Sequence, residues 1–96
     1  MKNTDKNILT GIQKILKDRF RIIFEIDDND DLSKDLLGNT WGLQARDLVY
    51  LLFDVEKAFG IKIPEQEIAD GNFNTIHNIR SLISSQLAAH LEEVAV

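Results

Sequence analysis

Ninety-six residues suffice for one domain with a modest core, and not for two. A hydrophobic share of 44% and a charged share of 28% are those of a soluble globule, while a net charge of −5 argues against a binder of phosphate backbones, which needs a basic face. The absence of cysteine excludes disulfides, thiolate metal sites and a cysteine nucleophile.

The opening MKNTDKNILTG has no apolar h-region, so no signal peptide is expected. No run approaches the roughly 20 apolar residues of a membrane span, and a cytoplasmic protein is expected. An acidic surface suits a partner with a basic docking patch.

In chain order, the first predicted helix runs from Thr4 to about Phe20, capped by Asn3 or Thr4, with Asp5 near its positive end. Ile8, Ile12, Ile15, Leu16 and Arg19 line one side, and Ile23 extends it. Gly11 weakens this helix by about 1 kcal/mol relative to Ala, and a close approach by a neighbour would explain it. Phe20 to Ile26, FRIIFEI, has strand-like composition but no second strand to pair with. It is read as the frayed end of the helix followed by an extended piece that pins the core.

Asp27 to Asp31, DDNDD, is expected to be a solvated acidic loop. An EF-hand reading fails, because position six from Asp27 is Leu32 and position twelve is Gly38. Leu32 to Gly38, LSKDLLG, is read as a short turn or 3₁₀ piece that tucks Leu32, Leu36 and Leu37 inward. Gly38 and Gly42 punctuate the turn-like NTWG, Asn39 to Gly42.

The central helix, Gln44 to Gly60, carries the clearest periodicity. At roughly 100° per residue, Leu48, Leu51, Leu52, Val55 and Phe59 share one narrow arc, with Ala58 at its edge. Val49, Tyr50 and Phe53 fall on the flank and far side, beside Arg46, Asp54, Glu56 and Lys57. A helix serving only its own core is polar there. This second apolar patch points to a partner protein, the alternative being that Val49 and Phe53 pack against the long loop or the first helix.

Gly60 suits the C′ position. Ile61 and Ile63 alternate with Lys62 into a short third helix, Pro64 to Ala69, with Ile68 inward. Asp70, Gly71 and Asn72 end it. Asn74 or Thr75 caps the last helix, whose inner face is Ile76, Ile79, Ile83 and Leu87, with Phe73 beneath its start. This helix runs to about His90 or further, and LEEVAV is expected to fray. The sum is a single all-α domain over residues 1–96. It is a four-helix bundle of three longer helices and one short one, with a long loop between the first and second.

Several motifs then act together. DLLG precedes the central helix, DLVYLLFDVEKAFGIKIPEQEI covers that helix and its exit, and FNTIHNIRSLI opens the last helix. From Asp31 to about Leu87 the chain resembles an acyl carrier protein, with FGIKIPEQEI, Phe59 to Ile68, the most typical stretch. The resemblance implies a carrier fold and, ordinarily, a phosphopantetheine arm on a serine in an Asp-Ser-Leu motif at the start of the second helix. Counting back from Phe59, that place falls on Ala45, followed by Arg46. Counting forward from Leu37 and Gly38, it falls on Trp41. The counts differ by four residues, about one helical turn, which implies an insertion between Gly38 and Ala45.

Neither place has a hydroxyl to form the phosphodiester, so the phosphopantetheine cofactor is expected to be absent. Thr40 is the nearest alternative acceptor. Ser33 reads as a cap, and Ser81, Ser84 and Ser85 lie away from the expected mouth. In carriers, partner enzymes read the exposed side of the second helix. The resemblance therefore implies a partner-binding surface at Arg46, Val49, Tyr50, Phe53, Asp54 and Lys57, with Asp47 and Glu56 supplying further acid. Tyr50 replaces an acidic residue usual in carriers, which suggests a dedicated partner. RDLVYLLFDVEKAFGI and GNFNTIHNI are similar to a group of carrier-related proteins of bacterial peptide maturation systems.

His77 and His90, thirteen residues apart, fall on different helix faces and lack metal spacing. No hydrolase elbow or phosphate-cradling glycine loop is present, so neither an enzyme nor a metal protein is expected. Trp41 is read as a plug where an acyl chain would enter, or else as an exposed partner anchor. The resulting expectation is a monomeric, non-catalytic recruitment module for a biosynthetic or peptide-modifying enzyme. It has no nucleic-acid or membrane partner. The alternative is a functional carrier with its arm on Thr40.

Overall fold

The computed structural model describes residues 2–37 and 41–95, with side chains described over 6–37 and 41–89. Thr40, Gly38 and the side chains of Asn3, Thr4 and His90 lie outside the described residues, so the readings placed on them stop at the sequence. Everything described is helix, turn or extended connection, and no named strand occurs among the described residues. The elements are α1 (Lys2–Ile15), a π-helical turn (Leu16–Phe20), α2 (Asn29–Ser33), α3 (Ala45–Phe59), α4 (Glu65–Ala69) and α5 (Ile76–Ala95). An all-α architecture was expected. The differences lie in the short pieces.

The first helix does not stay α-helical to Phe20. Its last five residues widen into the π turn, which ends at Arg21 in the left-handed region at φ 58°. A π turn advances fewer degrees per residue, so Arg19 leaves the apolar stripe in which regular 3.6-residue spacing placed it. Beyond Arg21 the chain is extended, and extended backbone alternates sides. Ile22 and Phe24 are buried, whereas Ile23, read as an extension of the inner stripe, is 67% exposed. The Gln13 side-chain amide donates to the Phe24 carbonyl at 2.7 Å, which fixes this piece against α1.

The acidic stretch is not a simple loop. Asp28 caps α2, its carboxylate accepting the backbone N–H groups of Asp30 and Asp31 at 3.0 and 3.3 Å. Asp30 and Asp31 occupy the first turn, where the helix dipole favours negative charge, and Leu32 anchors the turn in the core. A run of carboxylates that looks merely solvated thus contains a start signal for one helical turn. Leu36 is buried, and its N–H reaches the Asn74 carbonyl at 2.8 Å. Leu37, expected inside, faces outward because neighbouring residues of an extended segment point opposite ways.

The central helix lies close to its predicted bounds. Asp47 accepts the Gln44 backbone N–H at 2.9 Å, and Gly60 closes the helix at φ 65°. The Glu56 carboxylate accepts the Ile63 N–H at 2.9 Å, which holds the turn into α4. Ile68, expected inward, is exposed, because a single turn cannot bring that residue beneath the bundle. The Thr75 hydroxyl accepts the Asn78 N–H at 3.1 Å and so caps α5. The segment expected to fray continues α5 to Ala95.

The core joins these elements. Ile8, Ile12 and Leu16 meet Leu51 and Val55 of α3 and Ile76, Ile79 and Ile83 of α5. α1 packs against both α3 and α5, and α2 rests on α5. The close approach inferred at Gly11 is present, since a Cβ there would lie 2.6 Å from the Phe59 ring tip. Gly11→Ala should therefore lose about 1 kcal/mol to overpacking despite its better helix propensity. In a Phe59→Leu background the same change should add up to about 1 kcal/mol, because only the propensity gain remains. A double-mutant cycle by urea unfolding checks both signs.

Candidate surface on the central helix

The face of α3 that turns away from the core carries the residues singled out in the sequence. Val49 is 48% exposed, Tyr50 50% and Phe53 59%, while Leu51 and Val55 on the opposite side are sealed. Val49 and Phe53 therefore do not disappear into a loop or into α1. Arg46 and Lys57 are also exposed. Ala45 is the first residue of α3 and exposed, as is its neighbour Gln44. Among the described residues, no hydroxyl side chain lies between Leu37 and Tyr50.

The acids of α3 are engaged internally. Asp47 serves the helix start and Glu56 the helix exit, as described above. Asp54 receives the Arg19 guanidinium through two hydrogen bonds, Nε to Oδ2 and Nη2 to Oδ1, the latter 3.0 Å. The hydrogen bond to Asp54 raises the Arg19 pKa above its ordinary value. The same guanidinium lies 5.6 Å from the centre of the Tyr50 ring, within cation–π range. Asp54, expected as a free acid for a partner, is instead half of an ion pair that ties the π turn to α3. Sequence spacing gave no signal for it, because Arg19 and Asp54 are 35 residues apart.

Beside this pair, α1 and α3 diverge into an open groove of about 930 Å³. Gly11, Ile15 and Ala58 supply its apolar wall, and Lys14 and Lys57 stand over it. A separate, smaller hollow of about 470 Å³ adjoins it along α1 and is lined in part by Ile23. The two share Lys14 and Asp18. Neither hollow was visible in the periodicity, since each arises between elements and not along one.

Trp41 is half-buried and packs on the core, with its indole N–H lacking a hydrogen-bond partner among the described residues. Trp41 therefore packs on the core and does not stand fully exposed. His77 is half-buried in the first turn of α5. Among the described residues, no three His, Asp or Glu gather as metal ligands, and no helix is long and apolar enough to cross a membrane. In comparisons with known proteins, no family model, no curated protein and no solved structure matches this chain.

Proposed function

We propose that this protein is a non-catalytic, acyl-carrier-like module that recruits a biosynthetic or peptide-modifying enzyme through the outer face of α3. The reading rests on one observation: Val49, Tyr50 and Phe53 stand together in solvent on a helix whose other face is core. Monomeric soluble domains leave apolar clusters exposed mainly where something binds them. Aromatic anchors suit such a task, since they bury much area at small entropic cost.

The carrier-like arrangement is proposed from the order and motifs of the helices. Two short helical pieces, α2 and the π turn, are additions to the four-helix plan. The chain acts as a monomeric cytoplasmic partner and carries no phosphopantetheine. Alanine, at the start of α3, has no oxygen with which to hold the arm. Incubation with a promiscuous phosphopantetheinyl transferase and coenzyme A should leave the intact mass unchanged. A mass gain equal to the arm would defeat the reading. Its loss on Thr40→Ala would make the protein a carrier modified at that residue.

A further inference from the structure

We infer that the groove between α1 and α3, with the adjoining Tyr50 and Phe53, receives an acidic amphipathic segment of the partner protein. This rests on the recruitment reading above and names the chemistry of what is recruited. The chain as a whole carries −5, which at first suggests a basic partner. The charge on this face has the opposite sense.

Asp54 is matched by Arg19, while Asp47 and Glu56, which keep their charge on backbone N–H groups, do not line the groove. Along the walls of the groove and the smaller hollow, the cations without an ion-pair partner among the described residues are Lys57 on α3, Lys14 on α1 and, in the hollow, Lys17 of the π turn. Asp18 is the one carboxylate on the groove walls left outside an ion pair among the described residues. Ionic screening decides which field a partner feels. The Debye length is about 8 Å at physiological salt, so a partner seated in the groove feels chiefly the groups that line it and the adjoining hollow, where Lys14, Lys17 and Lys57 face one carboxylate outside an ion pair. A partner with basic residues would set like charges together here.

The apolar half of the recognition is equally local. Ile15 and Ala58 line the groove, Phe53 stands exposed on the same helix as Ala58, and Ile23 lines part of the adjoining hollow. From Gly11 to Asp18 the α1 wall extends about 10 Å, room for two turns of a docked helix at 5.4 Å per turn. Such a helix places apolar side chains on one stripe and carboxylates on its flanks. The acidic 25–31 segment of a second copy supplies carboxylates but no matching anchors, because Ile26 is half-buried and the following Leu32 is buried.

The test is a selection of random 16-residue peptides displayed on phage against the immobilised full chain. Enriched peptides should combine Asp or Glu with aromatic or Leu residues. A synthetic copy of the most enriched one should lose at least tenfold in affinity to a Lys14→Glu/Lys57→Glu variant, and should weaken as salt rises from 50 to 500 mM. Both lysines are exposed, so the variant should melt within a few degrees of the parent. Failure to enrich any peptide overturns the inference. So does enrichment of Lys- or Arg-rich peptides, binding indifferent to the double variant, or a dimer in sedimentation that the peptides do not displace. Basic peptides that depend on Phe53 would overturn this inference while leaving recruitment through α3 intact. A phosphopantetheine mass gain would do the reverse.

Discussion

Phe24→Ala is expected to cost about 3–5 kcal/mol, the largest stability loss of any single truncation proposed here. Phe24 is 1% exposed, yet it lies in an extended piece with no ladder of backbone hydrogen bonds. Its ring, together with the amide of Gln13 on its carbonyl, is what holds that piece against the bundle. Removing it empties a cavity beside Ile22 and frees the connection between the π turn and α2. A domain of this size has roughly 5–15 kcal/mol in total, so the variant should lose about a fifth or more of its stability. The melting temperature should fall by upwards of about 12 °C. The adjacent Ile23→Ala is the control: Ile23 is 67% exposed, and its loss should stay within about 0.5 kcal/mol. Guanidinium unfolding of both variants checks the contrast. Equal losses would mean that the extended piece is not in the alternating register described.

Phe53→Glu is expected to leave the fold alone and to weaken partner binding at least thirtyfold. A ring that is 59% exposed contributes little to the core, so circular dichroism and melting should hardly change. At an interface, a central aromatic commonly contributes 2 kcal/mol or more, which sets the thirtyfold floor. The new carboxylate also opposes the acidic segment inferred for the groove. Calorimetric titration of parent and variant against the acidic peptide selected on the parent chain measures the effect. Parent binding that survives the substitution would remove Phe53 from the surface. A large drop in melting temperature would place it in the core instead.

The two variants also mark what kind of information each part of the chain carries. The central helix was legible from spacing alone. Leu51 and Val55 fall inward and Val49 and Phe53 outward because a 3.6-residue period sorts side chains by angle, wherever the helix sits. Gly60 as the helix stop and Gly11 as a point of close approach are similarly local statements, each set by what one residue lacks. The all-α class follows from the same periodicity. The short helix α4 was announced by Pro64, whereas α2 and the π turn resisted reading because a handful of residues provides no full period. At Ile23, Leu37 and Ile68, the extended or single-turn backbone decided the direction, and not the apolar character of the side chain.

The sequence by itself determined the helical order, the two faces of α3, and the lack of a hydroxyl at Ala45 or Trp41. Only the tertiary structure decided which charged groups near that outer face are engaged within the fold and which line the groove. Arg19 reaches Asp54 across 35 residues, Glu56 turns to a backbone N–H seven residues on, and Lys14 and Lys57 come to share one groove. Hydrophobic periodicity is a property of one helix and is written along the chain. A charge's partner depends on which helices meet and at what rotation, which is settled by packing around Leu16, Leu51 and Ile79.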